Sequence, residues 1–156
     1  MPALVMRSSP PQRRGPRAFR SHQPGIAFYS AAVSADMVVE VSLSNLDGDT
    51  DEECGVVYRG VDQAHFWAAY VSDSDNLIHL SKFIAGVETS VATYAWTPAA
   101  TAELRVIAQE TRHRVWVDRL LAIDTEDGDL RYGNRAGQFS RGTTAVLFED
   151  FHARRI

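Results

Sequence analysis

Arg105, Arg114, Trp116 and Asp118 fall at alternate positions of two short runs, Leu104 to Ile107 and Arg114 to Asp118, that are otherwise leucine, valine and isoleucine. Successive side chains of an extended strand point to opposite faces. If Leu104, Val106, Val115 and Val117 enter a core, then Arg105, Ile107, Arg114, Trp116 and Asp118 share the outer face. An indole ring among guanidinium and carboxylate groups has the chemistry to hold a sugar. The ring plane stacks on the C–H face of a pyranose while the charged groups hydrogen-bond its hydroxyls. By the same alternation Arg59, Trp67 and Lys82 are candidates for that face.

Other chemistry finds less support. Asp47, Asp49 and Asp51 alternate in an acidic loop that runs to Glu53, and a second acidic loop spans Asp124 to Asp129. Carboxylate oxygens so spaced can ligate Ca²⁺. Glu52, however, stands where an EF-hand needs glycine, and Tyr58 where it needs its bidentate acid, so solvated loops are the simpler expectation. His22, His65, His79, His113 and His152 are scattered without ligand spacing and read as surface or packed residues. Neither a Gly-x-Ser-x-Gly elbow nor a phosphate-binding Walker loop occurs.

The elements that must position these residues are strands. The central stretch is Cys54 to Val71, two runs of β-branched and aromatic residues flanking a predicted turn at Gly60 to Gln63. Both faces of this hairpin are mostly apolar, which suits a mid-sheet position with the second face also covered or used. Strands are expected at Ala27–Val33, Met37–Ser44, Leu77–Ile84, Glu88–Tyr94, Ala102–Gln109, Arg114–Asp118, Leu120–Asp124, Gly133–Ser140 and Ala145–Ala153. Trp96 to Pro98 breaks the sheet, and Glu110 to Arg112 is a turn. About ten such strands without a helix point to an all-β, two-sheet antiparallel sandwich.

The 156 residues suffice for one domain with one core, at 45% hydrophobic content. Charge is unevenly placed. Five arginines and no acid precede Asp36, so residues 1–35 carry +5 and the remainder −9 of the net −4. Residues 1–25 therefore read as a basic arm rich in proline and arginine, ahead of a domain at 26–156. An acidic body behind such an arm disfavours nucleic acid as the ligand; a protein partner or a homo-oligomer is the better match for it. The single cysteine, Cys54, reads as a small buried hydrophobe. No stretch approaches a membrane span and no secretory signal is evident, so the expected location is the cytoplasm, or a virion for a phage structural protein.

Gly55 to Arg59, Phe66 to Tyr70, Leu77 to Lys82 with Gly86, Glu103 to Val106, Val115 to Asp118 and Phe148 to Phe151 follow an order that resembles the concanavalin A-like jelly roll. Laminin G-like domains and 3-keto-disaccharide hydrolase-like modules are the most similar groups. There a strand ending in arginine precedes an aromatic strand, then a Leu-Arg-Val strand, a Val-x-Val-Asp-Gly hairpin and a closing Phe-Asp-Asp-Phe strand. The likeness covers about residues 27 to 154.

This chain has Asp118-Arg119 where the family hairpin has Asp-Gly, and nothing in the arm matches the family's opening strand, so a neighbouring subunit is expected to cover the edge left open. The resemblance implies a concave sheet with a non-catalytic, lectin-like binding or adhesion role toward a glycan or glycan-bearing surface, and calcium at one rim. The family's glucanases carry a Glu-x-Asp-x-x-Glu strand that sets two carboxylates about 5 Å apart; no such strand is present, which argues against a glycoside hydrolase. A structural module of an assembly, such as a phage tail or capsid-surface protein tethered by its arm, is one alternative, and a glycoside hydrolase-like enzyme with paired acids converging in the groove is the other.

Overall fold

Period-two alternation of apolar and polar residues extends the backbone along most of the chain, because branched and aromatic side chains pack well on a pleated, half-buried surface. The computed structural model describes residues 4–5, 25–29, 31–46, 52–142 and 146–156. Among them are twelve strands and no helix. The first six are β1 (Leu4–Val5), β2 (Gly25–Phe28), β3 (Met37–Ser44), β4 (Glu53–Asp62), β5 (His65–Ser72) and β6 (Leu77–Ile84). The others are β7 (Val87–Ala95), β8 (Ala102–Gln109), β9 (Arg112–Val117), β10 (Leu120–Glu126), β11 (Arg135–Arg141) and β12 (Leu147–Arg155). Among the described residues no helix is long and apolar enough to cross a membrane.

Two six-stranded antiparallel sheets form the sandwich, β1-β12-β3-β8-β9-β10 and β2-β11-β4-β5-β6-β7. Between them lies one dry layer. The first sheet contributes Val39, Val41, Leu43, Leu104, Val106, Val115 and Val117, and the second Val56, Tyr58, Trp67, Ala69, Val71, Ile78 and Leu80, all buried. Cys54 belongs to this layer, and burial pushes its thiol well above the ordinary value. The central hairpin buries its second face too. Val57, Phe66, Ala68, Tyr70, Phe83 and Phe139 form a separate apolar cluster, with Phe66 stacked on Phe83 and Tyr70 on Phe139 at centroid distances of 4.5 and 4.7 Å. Arg141 crowns it, bonded to Glu53, Glu88 and the Tyr70 hydroxyl.

Two expectations are corrected. The β4–β5 strand pair runs on through Asp62, which faces His65, and only Gln63 and Ala64 turn. An irregularity after Tyr58, where Arg59 adopts φ 47°, restores the pairing, and the Asp62 carboxylate holds the turn by accepting the Ala64 N–H at 2.8 Å. At the edge expected to need a neighbouring subunit, this chain itself pairs two residues of β12. Leu4 lies opposite Ala153 and Val5 opposite His152, which places β1 on β12. The rest of the arm, residues 1–3 and 6–24, lies outside the described residues, as do Asp47, Asp49 and Asp51.

Candidate functional site

The neighbouring strands β3, β8, β9 and β10 bring one row of side chains into register on the outer face of the first sheet. Glu40 lies opposite Arg105, Arg105 opposite Trp116, and Trp116 opposite Leu121. Their sequence neighbours Val39, Val41, Leu104, Val106, Val115 and Val117 fill the core, so parity alone turns this row outward. Trp116 keeps part of its ring open. The guanidinium groups of Arg105 and Arg114 stand 5.5 and 5.6 Å from the ring centroid, within range of cation–π attraction. Arg105 Nε also faces Glu40 Oε1 at 3.4 Å, which puts the guanidinium between ring and carboxylate. Beside the ring is a hollow of about 340 Å³ lined by Glu40, Glu103, Arg105, Trp116 and Arg119.

The β9–β10 turn shapes one wall of that hollow. Asp118 and Arg119 have φ of 47° and 69°, the left-handed pair that joins strands of natural twist and that Asp-Gly normally supplies. Asp118 pays for the missing glycine with two bonds to Glu103, its Oδ1 accepting the Glu103 N–H and its own N–H donated to the Glu103 carbonyl, both at 2.9 Å. Its carboxylate is thus a clasp between β8 and the turn. Arg119 projects from the same turn and lines the hollow.

Of the six residues the sequence nominated for ligand binding, Arg105 and Trp116 are brought together, and Asp118 supports the turn beside them. Arg59, Trp67 and Lys82 belong to the second sheet and do not share that face. Trp67 is fully buried in the core, its Nε1–H donated to the Asp129 carbonyl at 2.8 Å. Its face of β5 was ambiguous because both faces of the central hairpin are apolar. Arg59 is fully buried as well; its Nε donates to the Ala35 carbonyl at 2.8 Å and its Nη2 to Asp36 at 3.1 Å. Lys82, opposite Trp67 in register, donates from Nζ to the Asp127 and Asp129 carboxylates, each at 2.7 Å.

A buried polar chain joins these residues. The Nε2 of His113 is 2.9 Å from the Asp127 carbonyl, which can only accept, so Nε2 carries the proton and Nδ1 accepts from the Tyr58 hydroxyl at 2.7 Å. Trp67 lies against the imidazole at 4.2 Å between centroids. Burial, the dominant cause, lowers the His113 pKa to about 4, and burial likewise raises that of Tyr58. The signal for this role was present in the sequence: His113 shares the parity of Val115 and Val117. In the second acidic loop, Asp124 is held by Arg112 at 2.8 and 2.7 Å, and Asp127 and Asp129 by Lys82. Among the described residues no group of three His, Cys, Asp or Glu side chains could hold a metal ion.

No protein-family model matches the chain, and no curated protein is similar to it in sequence. Solved structures are similar in shape. A carbohydrate-binding module, CBM66, from Bacillus subtilis superposes with a TM-score of 0.76 over 86% of this chain and 84% of that one, at 21% identity. The fold is a two-sheet antiparallel jelly roll. A Bacillus subtilis protein of unknown function with a galectin-like fold matches 98% of this chain and 87% of its own length, with a TM-score of 0.74 and 9% identity. An Aspergillus kawachii beta-fructofuranosidase matches 85% of the chain at 12% identity and a TM-score of 0.64, and the jelly roll spans 26% of that enzyme.

Proposed function

We propose that this jelly roll is a non-catalytic carbohydrate-binding module whose ligand rests in the Trp116 hollow. The observation that carries the reading is the half-open indole held between Arg105 and Arg114, with Glu40, Glu103 and Arg119 bordering the same space. The ring offers an apolar plane for the C–H face of a sugar. Guanidinium groups donate to hydroxyl oxygens, and carboxylates accept from hydroxyl hydrogens. Because both charge signs line the hollow, a neutral polyhydroxylated ligand finds donors and acceptors without needing a net charge of its own. The register of β3, β8 and β9 sets Glu40, Arg105 and Trp116 side by side on one face, so the fold itself brings the ring and the polar groups together. Likeness in shape to a solved carbohydrate-binding module supports the same reading.

The test is a glycan array probed with the wild type and with Trp116→Ala. Binding to a defined set of glycans that falls at least tenfold in the variant is expected. Absence of wild-type binding on every glycan, or binding that survives the substitution unchanged, contradicts the reading.

A further inference from the structure

At the end of β9 away from Trp116, residues 127–134 carry the chain from β10 to β11 and are anchored from both sheets. The Asp127 N–H donates to the Thr111 carbonyl at 2.8 Å and the Asn134 N–H to the Gly60 carbonyl at 3.2 Å. The Asp129 carbonyl takes the Trp67 indole N–H, and Lys82 grips the carboxylates of Asp127 and Asp129. Leu130, at φ 56°, packs against the core. Gly133 approaches Arg59 so closely that a Cβ there would lie 2.0 Å from the Arg59 carbonyl oxygen.

This well-held segment nevertheless presents Tyr132 to solvent, 83% exposed, more than any other large apolar side chain described. The guanidinium of Arg131 stands 5.7 Å from its ring and pairs with no carboxylate among the described residues. A hollow of about 670 Å³ opens here, bordered by Val61, Thr111, Asp129, Arg131 and Tyr132 among others. Among the described residues, Tyr132 belongs to neither apolar cluster of the fold. An aromatic plane, a guanidinium and a carboxylate repeat the chemistry of the Trp116 hollow, and Thr111 adds a hydroxyl that the first hollow lacks.

The two hollows are linked by β9 itself. Thr111 borders one and Trp116 the other, five positions apart, which at the rise of an extended strand is roughly 17 Å. One sugar ring cannot reach across that distance. We propose that the Tyr132 hollow is a second carbohydrate subsite and that the ligand of this module is a polymeric glycan engaged at both ends of β9; the inference rests on the Trp116 reading. Two linked contacts on one chain raise the effective concentration at the second once the first is made, so avidity exceeds either site alone.

The test compares wild type, Trp116→Ala and Tyr132→Ala by affinity electrophoresis in native gels containing inulin, levan, xylan or mixed-linkage glucan. Calorimetric titration with the corresponding short oligosaccharides runs beside it. Tyr132 is exposed, so its replacement leaves the fold intact, which a thermal melt verifies. The ratio of polysaccharide to short-oligosaccharide affinity is expected to fall at least tenfold in Tyr132→Ala, and wild-type affinity to step upward once the oligosaccharide is long enough to span both hollows. A ratio unchanged by Tyr132→Ala, with polysaccharide binding still lost in Trp116→Ala, overturns the second subsite and leaves the first standing. If the wild type is retarded by no polysaccharide and titrates with no oligosaccharide, the first reading fails and this one with it.

Discussion

Acid should weaken this fold through one buried imidazole. His113 is fully buried, with its Nε2–H donated to the Asp127 carbonyl and its Nδ1 accepting from Tyr58. Protonation would give Nδ1 a hydrogen that faces the Tyr58 hydroxyl and force that hydroxyl to give up its only acceptor. Lys82 and Arg59 nearby add repulsion, partly offset by Asp127. Burial, the dominant cause, thus brings the folded imidazole down to about 4, against an ordinary 6.5. As pH falls through the ordinary value the unfolded chain takes up a proton that the folded chain refuses, so stability is complete above 6.5 and is lost progressively toward 4. At about 1.4 kcal/mol per pH unit the loss across that window approaches roughly 3 kcal/mol. Urea denaturation at intervals from pH 7 to pH 4.5 reads it directly, with His113→Gln as the reference. The carboxylate titrations are common to both proteins and cancel in the difference. Equal slopes for wild type and His113→Gln across this window would refute the neutral, Tyr58-bonded imidazole.

Other substitutions separate structural from ligand-facing roles. Arg119→Gly relieves a left-handed arginine and should raise unfolding stability by about 1 kcal/mol in denaturant melts, while weakening glycan binding because the hollow loses a guanidinium. Trp67→Ala should destabilise by roughly 3 to 5 kcal/mol, whereas Trp116→Ala should cost less than about 1 kcal/mol; chemical denaturation of the two side by side tests that contrast. Gly55→Ala would set a Cβ 2.0 Å from the Ala69 carbonyl oxygen of β5, and should cost about 3 kcal/mol or leave insoluble protein, as solubility and thermal melts would show.

The first sheet was legible because β8 and β9 carry charge on one face and aliphatics on the other, so one parity is compatible with a dry core. Arg105 and Trp116 follow from it without further information. The second sheet was harder to read. Phe66 and Tyr70 alternate with Trp67 and Val71, both sets apolar, and hydrophobicity cannot say which set meets the opposite sheet. Lys82 misled for a different reason. A lysine on a strand is expected in solvent, but two aspartates from residues far along the chain reach its ammonium group, and such long-range pairing leaves no local pattern. Leu4 and Val5 make too short a run for periodicity to reveal a strand. Tyr132 stood in a turn-rich segment, where neither helical nor strand spacing says how exposed a ring will be.

The side-chain indole resonances of the labelled protein test directly whether Trp116 is the tryptophan that meets the ligand. Trp67 and Trp96 are 0% and 8% exposed, and Trp116 is half-buried. Titration with the strongest glycan from the array should shift the Trp116 indole N–H signal progressively to saturation and leave those of Trp67 and Trp96 in place. A saturating titration in which the Trp116 signal stays still would contradict contact with Trp116.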